Sequence, residues 1–274
     1  MIRLLAFVPA ILAQVVFAEE ISQYPAAFYE TNTEAYTYTD KAGHQMPYRL
    51  FRPHNYDPKK QYPLILSFHG AGERGNDNLK QLKPWVAGWM DEQVQNHHPC
   101  LILMPQCPDG EQWVDTPWQM GSYSFSNTPI SNPMRLATQI FDKVVQENSV
   151  DRSRIYVMGA SMGGYATWNF AIRYPELVAA AVPVCGAGDP SMAKTIKNIP
   201  IWAFHGDADD VVPPSGSQDM LDAIKRAGGT QAQLTIFHAV KHDSYLRAWR
   251  QRDLVDWIFK QNKTQTKSNG GDGK

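Results

Sequence analysis

Short, almost wholly apolar stretches recur along the chain and alternate with amphipathic segments. The clearest of these stretches are LILSF, LILM, IYVM and IWAF. Apolar character that is continuous, without alternating polar positions, is typical of parallel strands buried on both faces of a sheet. The pattern therefore predicts strands at 62–68, 101–104, 154–158, 178–184, 200–205 and 232–238.

The amphipathic segments between these stretches have the spacing of helices. The strongest helical period lies in residues 133–147, where one face carries Leu136, Ile140 and Val144. Asn132 is the predicted N-cap of this helix, with Pro133 at the first helical position. Further helices are predicted at 83–95, 162–173, 216–227 and 243–260.

The order of these elements indicates an α/β fold. Residues 33–39 and 46–52 form a predicted antiparallel pair, with a turn near Gly43. After this pair, strands alternate with helices, which favours a mostly parallel central sheet with helices on both faces. We expect one domain over residues 19–260, because the length of 274 residues and the 43% hydrophobic content suit one globular unit with a large core.

The first 18 residues differ from the rest of the chain. Arg3 supplies a positive charge, residues 4–17 are almost wholly apolar, and a small residue, Ala18, stands at the end. This pattern predicts a secretory signal peptide over residues 1–18 and a secreted or periplasmic protein. A membrane anchor is the alternative, but Pro9 interrupts a stretch that is already short for a span. We expect no membrane span in the mature chain.

Composition narrows the possible partners. The 26 Lys and Arg residues are balanced by 27 Asp and Glu residues, and no basic run is present, so we expect no nucleic-acid partner. Three cysteines allow at most one internal disulfide: Cys100, Cys107 and Cys185. No metal-ligand spacing occurs, so we expect neither a metal nor a cofactor. The polar, Gly-rich residues 261–274 are predicted to be disordered.

Chemically active residues follow several of the predicted strands. Ser161 comes directly after 154–158, an acidic cluster follows 200–205, and His242 lies beyond 232–238. Ligands of open parallel sheets bind beyond the carboxyl ends of the strands. We therefore expect a serine, an aspartate and a histidine to meet at one edge of the sheet.

The glycines around Ser161 have a chemical explanation. A serine nucleophile must project from a sharp turn between a strand and a helix, and side chains next to that turn would obstruct it. Gly159 and Gly163 supply the space in the pattern G-x-S-x-G. The helix that follows leaves its first N–H groups unpaired, so the Met162 N–H is available to a negative oxygen. A Gly-rich turn without catalytic purpose is the alternative.

Several stretches resemble secreted α/β-hydrolase esterases. They are LSFHGAGERGNDN, PQCP, GASMGGYATW, HGDADDVVP and KHDSY. The similarity is to the branch that contains phospholipase/carboxylesterase-type, polyhydroxyalkanoate-depolymerase-like and feruloyl-esterase-like proteins, and it extends from about residue 45 to 260. The resemblance implies an α/β-hydrolase fold and hydrolysis of carboxylic esters by a serine.

The resemblance also implies roles for single residues. Ser161 becomes the nucleophile, and Asp209 falls on the acid position of the HGxxDxxVP stretch. Asp207 and Asp210 are close enough in sequence to remain alternatives. Ala71, just after the His-Gly pair, becomes the second oxyanion donor beside Met162.

His242 matches the late histidine of these esterases and becomes the general base. His205 and His238 are competitors, but both fall at strand ends rather than in the loop beyond a strand. Tyr245 stands where tryptophan is frequent in the family, a small departure that does not affect His242.

The substrate is predicted from the residues near this edge. The segment 106–131 is rich in aromatic residues, and Trp113 and Trp118 are predicted to bind substrate, together with Arg74 beside the oxyanion loop. The alternative is that the rings only pack the segment and that Arg74 only orders its loop. We expect a small-molecule or polysaccharide-linked ester, such as an acetyl or feruloyl ester.

Two further functions stay open on the sequence alone. One is a serine peptidase of the same fold, and the other is a non-catalytic relative that binds carbohydrate. The intact set of serine, aspartate and histidine argues against the non-catalytic relative. The short chain argues against peptidases that carry an additional propeller domain.

Overall fold

The computed structural model describes residues 26–251 and 253–263. The predicted signal peptide, residues 1–18, lies outside the described residues, as does most of the predicted disordered tail, residues 261–274. The single domain predicted over 19–260 begins before the first described residue and stays a prediction.

The described residues build one eight-stranded sheet with the strand order β1-β2-β4-β3-β5-β6-β7-β8. Its strands are β1 Thr33–Thr39, β2 Gln45–Phe51, β3 Tyr62–Phe68, β4 Leu101–Pro105, β5 Val150–Ala160, β6 Ala180–Val184, β7 Ile201–Gly206 and β8 Ala232–Phe237. The predicted antiparallel pair is confirmed as β1 and β2, and β2 is also antiparallel to β4. All other neighbours are parallel, so the mostly parallel sheet is confirmed.

The central strands are buried on both faces, as their continuous apolar sequences require. Every residue of β3, β4, β6 and β7 is buried. β8, at the edge of the sheet, is only partly buried, and its residues are a mixture of partly buried and exposed ones. Two apolar cores result, one on each face of the sheet.

Helices cover both faces of the sheet. They are α1 Ala26–Asn32, α2 Pro84–Met90, α3 Glu92–His97, α4 Asn132–Glu147, α5 Met162–Arg173, α6 Ala193–Ile196, α7 Ser215–Arg226, α8 Tyr245–Ala248 and α9 Leu254–Phe259. Residues buried in α4 and α5 belong to one core, and residues of α2 and α9 belong to the other. The parallel strands therefore end at one edge that helices leave accessible.

The prediction of one helix over 243–260 is wrong. A 3₁₀ turn at His242–Ser244 leads into the short helix α8, and α9 begins only at Leu254. Between the two helices, the N–H of Gln251 bonds the carbonyl of Ala248, three residues back. Such short-range bonds tighten the backbone and end a helix. The helix predicted over 83–95 is likewise divided into α2 and α3, where Asp91 accepts a hydrogen bond from the Gln93 N–H.

Helix α4 begins one residue earlier than the pattern indicated. Its N-cap is Ser131, not Asn132, because the Ser131 side chain accepts a hydrogen bond from the Met134 N–H. The same hydroxyl donates to the carbonyl of Trp113 at 2.7 Å. The cap therefore also ties the aromatic segment 106–131 to the helix.

No disulfide forms among the three cysteines. Cys100, Cys107 and Cys185 are all free thiols and all buried. Burial raises the pKa of Cys100 and of Cys185 to about 12, so both stay protonated at neutral pH. They behave as small apolar core residues.

Among the described residues, none of the helices combines the length and the apolar character that a bilayer crossing requires.

Candidate active site

Ser161 stands at a tight bend between β5 and α5. Its backbone has φ 58° and ψ −122°, a left-handed conformation that a non-glycine residue rarely adopts. The bend presses the start of α5 against β3. A Cβ on Gly163 would lie 2.1 Å from the Phe68 carbonyl oxygen, and one on Gly159 would lie 2.5 Å from the Gly163 oxygen. Only glycine fits at these two positions.

His242 links Ser161 to a carboxylate. Its Nε2 lies 2.8 Å from the Ser161 Oγ. Its Nδ1 lies 2.9 Å from Oδ2 and 3.1 Å from Oδ1 of Asp209. His242 lies in the 3₁₀ turn that follows β8 and leads into α8. Three residues far apart in sequence therefore form one hydrogen-bonded chain.

Asp209 is held from several sides. Its side chain is fully buried, and its Oδ1 accepts hydrogen bonds from the Val211 and Val212 N–H groups at 2.9 Å each. Burial alone would raise its pKa, but hydrogen bonds from His205, His242 and these N–H groups hold the pKa of the carboxyl well below its usual range. Asp209 is therefore ionised throughout the neutral range.

The neighbouring aspartates lie elsewhere. Asp207 pairs with His238 at 2.7 Å, and Asp210 pairs with Lys241 at 2.9 Å, both at the surface. Neither carboxylate contacts His242. The structure therefore brings Asp209, and neither of the two sequence alternatives, to the imidazole.

The competing histidines do not reach Ser161. His238 has a 95% exposed side chain. His205 is fully buried, with Nδ1 2.8 Å from the Ser217 hydroxyl and Nε2 3.0 Å from the Val212 carbonyl oxygen. Its Nε2 also lies 3.3 Å from the Asp209 Oδ2, so His205 is a second histidine in contact with this carboxylate.

The two predicted oxyanion donors lie beside Ser161. Met162 is the first residue of α5, so its N–H has no acceptor within the helix. Ala71 opens a 3₁₀ turn at Ala71–Glu73, directly after Gly70. A Cβ on Gly70 would lie 3.7 Å from the Ser161 Cβ, so this turn passes close to the serine.

His69 was not assigned a role from the sequence, yet it organises this turn. The ring is buried, with Nδ1 2.6 Å from the Gly70 carbonyl oxygen and Nε2 2.9 Å from the Cys107 nitrogen. Burial lowers the pKa of His69 to about 4, so it is neutral at physiological pH. A neutral ring donates from Nδ1 and accepts at Nε2, which matches both contacts. The His-Gly pair directly after a buried strand was the available signal.

A cavity of about 450 Å³ opens above Ser161 and His242. Its aromatic lining residues are Trp118, Tyr245 and Trp249, and its charged ones are Glu73, Lys83 and Arg250. Trp118 therefore lies where the sequence predicted a substrate contact.

The structure does not place the other two predicted substrate residues, Trp113 and Arg74, in the cavity. Trp113 is fully buried and packs against Phe68 and His69, with its indole N–H donating to the His69 carbonyl at 3.1 Å. Arg74 donates to the carbonyl oxygens of Ala71 and Glu111. Neither residue lines the cavity. Trp113 is a core residue because its large apolar ring fills the space under the loop, and Arg74 orders its own loop.

One group of possible metal ligands occurs among the described residues. Ligand atoms of Cys185, Asp209 and His242 lie within 4.8 Å of one another. The thiol is kept protonated by burial, and the other two side chains bond each other. A thiol binds metal as the thiolate, so the donor set does not suit a metal ion.

The fold and this geometry agree with a comparison to known families. The model of the phospholipase/carboxylesterase family matches residues 56–251, which is most of the chain. The chain belongs to the phospholipase/carboxylesterase family. The α/β-hydrolase resemblance seen in the sequence is thereby confirmed, and the strand order and parallel pairing are those of an α/β-hydrolase.

Individual known proteins resemble the chain to different degrees. A bifunctional acetylxylan esterase/xylanase from Neocallimastix patriciarum is 26% identical over 163 residues, which are 60% of this chain and 21% of that protein. A thermostable esterase of known structure has a TM-score of 0.78 and 34% identity, covering 85% of this chain and 64% of that one. This chain thus spans less than two thirds of either relative.

A third match concerns the fold alone. A feruloyl esterase module from Clostridium thermocellum, solved with sinapinate, has a TM-score of 0.60 at 17% identity. It covers 84% of this chain and 88% of that one. At this identity the likeness extends to the architecture of the α/β-hydrolase and no further.

Proposed function

We propose that this protein hydrolyses carboxylic esters through Ser161, His242 and Asp209. The observation that carries the proposal is the hydrogen-bonded chain from the Ser161 Oγ through the imidazole to a buried, ionised carboxylate. A serine hydroxyl is a weak nucleophile until a base removes its proton. The arrangement supplies that base and holds it in the required orientation.

The first half of the reaction transfers the acyl group to the enzyme. His242 Nε2 takes the proton of Ser161 as the oxygen attacks the ester carbonyl. Asp209 holds the Nδ1–H tautomer and stabilises the imidazolium that forms. The imidazolium then gives its proton to the departing alkoxide, which leaves as the alcohol, and an acyl ester remains on Ser161.

The second half regenerates the serine. His242 removes a proton from a water molecule as the water oxygen attacks the acyl ester. The tetrahedral intermediate collapses, Ser161 recovers its proton from the imidazolium, and the carboxylic acid departs.

The negative oxygen of both tetrahedral intermediates needs hydrogen-bond donors. The N–H groups of Met162 and Ala71 are the proposed donors, since each begins a helical turn next to Ser161. Loss of one such donor costs about 3–4 kcal/mol of transition-state stabilisation in related chemistry. The neutral His69 ring supports this function by holding the Gly70 carbonyl oxygen, which accepts a hydrogen bond from Nδ1 directly before Ala71.

The proposed substrates are short acyl or aromatic acyl esters, including acetyl and feruloyl esters linked to polysaccharides. The cavity of about 450 Å³ accommodates a single aromatic ring with a short linker. Trp118, Tyr245 and Trp249 offer aromatic faces on which a phenolic ring or a sugar can pack. Export of the protein, proposed on the pattern of residues 1–18, would bring it to such polymers.

The proposal is tested with a panel of 4-nitrophenyl acetate, methyl ferulate and acetylated xylo-oligosaccharides. We expect turnover of at least one ester and labelling of Ser161 by a fluorophosphonate probe. Ser161→Ala should lower kcat by about 10⁶-fold, as removal of a serine nucleophile does elsewhere, and should abolish labelling.

The matched control is Ser126→Ala, because Ser126 is exposed and lies outside the cavity. It should retain full activity and labelling. Labelling at another serine, or an active Ser161→Ala variant with unchanged folding, would contradict the proposal.

A further inference from the structure

Three charged side chains line the cavity above Ser161, and two of them neutralise each other. The Lys83 Nζ lies 3.4 Å from the Glu73 Oε1. Arg250 lines the same cavity, and within residues 26–251 and 253–263 no ion pair involves its guanidinium. The cavity therefore carries a cation that the described part of the protein does not pair.

The buried carboxylate of Asp209 does not compensate for Arg250. Asp209 lies behind His242, does not line the cavity and already accepts hydrogen bonds from two histidines and two backbone N–H groups. Glu73 is engaged by Lys83. Arg250 is exposed at the cavity, and a ligand that fills the cavity removes part of the hydration of its guanidinium. A guanidinium without an ion-pair partner therefore favours an anionic group in that ligand.

The guanidinium also suits one kind of anion. Its planar N–H groups match the two oxygens of a carboxylate and bind it through two parallel hydrogen bonds. Ser161 and Arg250 line one cavity of about 450 Å³, so a ligand that fills this cavity can contact both. Its ester carbonyl would lie at Ser161 while its carboxylate reaches Arg250.

We propose that Arg250 selects esters that carry a carboxylate, on either the acyl or the alcohol part. The inference rests on the proposed esterase function and adds a substrate class to it. Monoesters of dicarboxylic acids have this chemistry, and so do polysaccharide uronic acids that are acylated on a hydroxyl group and keep a free carboxylate. Arg74, which the sequence favoured for gripping substrate, is engaged by backbone carbonyls and does not take this role.

The test uses two matched pairs of esters. The first pair differs in the acyl part: 4-nitrophenyl hydrogen succinate against its methyl ester. The second pair differs in the alcohol part: 4-acetoxybenzoate against its methyl ester. For each pair the ratio of kcat/KM, anionic over neutral, is measured in the wild type and in Arg250→Gln. Comparing the ratio between proteins cancels the difference in intrinsic reactivity.

We expect Arg250→Gln to lower this ratio by about threefold to fivefold for one of the two pairs, the size of an ion pair at a partly exposed site. The pair that responds identifies the part of the ester that faces Arg250. The ratio in the wild type should also fall as salt is raised from about 0.01 M to 1 M, because exposed charges are screened over this range.

Two further variants separate charge from shape. Glu73→Gln leaves Lys83 unpaired and should raise the ratio, opposite in sign to Arg250→Gln. Arg247→Gln is the matched control, since Arg247 is exposed on the same segment but does not line the cavity, and it should leave the ratio unchanged.

The outcomes distinguish this inference from the function on which it rests. Equal ratios in the wild type and Arg250→Gln for both pairs, while the neutral esters are turned over, overturn the inference alone. Equal effects of Arg247→Gln and Arg250→Gln would also overturn it, because the effect would then be one of overall charge. Failure of the wild type on all four esters, without labelling of Ser161, contradicts the esterase function itself.

Discussion

Asp209 shows how the surroundings of one residue decide its role. Its carboxylate lies between the rings of His242 and His205 and receives two backbone N–H groups from its own loop. These contacts hold it ionised and immobile in a fully buried position. Asp210, the next residue, has an exposed surface partner in Lys241 instead. Adjacent aspartates therefore differ in chemistry because they differ in hydrogen bonding.

Asp209→Asn should lower kcat on 4-nitrophenyl acetate by about 10⁴-fold at neutral pH, the effect of the same change in another serine hydrolase. An amide NH₂ facing Nδ1 favours the tautomer that has its proton on Nε2, and such a ring cannot accept the Ser161 proton. Asp210→Asn is the control, with an expected change below about twofold because exposed pairs contribute little.

Steady-state kinetics with circular dichroism on both variants measure this difference. A comparable loss in Asp210→Asn, or full activity in Asp209→Asn, would show that Asp209 does not orient His242.

At the scale of elements, the bend between β5 and α5 depends on backbone contact. Gly163 lets the first turn of α5 pack onto the Phe68 carbonyl at the end of β3. Gly164 lets the same turn pack onto the Val184 carbonyl oxygen at the end of β6. The helix is thus wedged between two strand ends with Ser161 raised above them. Close packing here is what keeps Ser161 in its left-handed conformation.

Gly163→Ala should lower the free energy of unfolding by about 3 kcal/mol or more, since the new methyl group overpacks a site bounded by backbone. The expected fall in Tm is roughly 6–12 °C for a chain of this size. Activity should fall as well, because Ser161 moves with the start of α5.

Gly72→Ala is the matched control for stability, because a Cβ at Gly72 meets nothing within 4 Å. The Tm values of both variants and the wild type, measured by thermal unfolding, test this prediction. Equal midpoints for Gly163→Ala and the wild type would mean that the helix moves away from β3 at little cost.

The stability of the whole molecule depends on pH through a buried histidine. His69 is buried, and its pKa is lowered to about 4 by burial, whereas an unfolded histidine titrates near about 6.5. Below about pH 6.5 the unfolded chain therefore binds a proton that the folded protein does not. Stability must fall as the pH falls from this value to about 4, where the folded protein takes up the same proton.

We expect this loss to amount to about 3 kcal/mol, the equivalent of the difference between the two pKa values. Denaturant unfolding between pH 7 and pH 4 measures it, and His69→Gln should flatten the profile because glutamine can donate and accept without titrating. An unchanged slope in His69→Gln would assign the pH dependence to other groups.

A second loss follows at lower pH. Hydrogen bonds and Lys80 hold the pKa of Asp77 at about 2 against the effect of burial, and the pKa of Asp209 is also held well below its usual range. Both carboxylates stabilise the folded protein above the pKa of the unfolded chain, near about 4. This contribution disappears as the pH falls from about 4 toward 2.

Local sequence patterns predicted much of the fold and part of the candidate site. The apolar runs located β3, β4 and β7 closely, because a strand buried on both faces has no place for polar residues. The G-x-S-x-G motif located the bend at Ser161, because glycine is required where backbones touch. The order of serine, aspartate and histidine in the chain then predicted which strand ends meet.

Other features depend on contacts between distant segments, and no local pattern contains them. The break between α8 and α9, the burial of Trp113 and the engagement of Arg74 with Glu111 all follow from how segments pack together.

The choice among Asp207, Asp209 and Asp210 was partly of this kind. The family resemblance favoured Asp209, but all three are suitable carboxylates in one short loop. Which elements form, their order and the bend that raises Ser161 follow from backbone sterics and burial along the chain, so they can be predicted from the amino-acid sequence. The contact of Asp209 with His242 and the position of Arg250 at the cavity depend on distances between remote segments. They appear only in the folded protein, because such distances arise from the packing of the whole sheet and its helices.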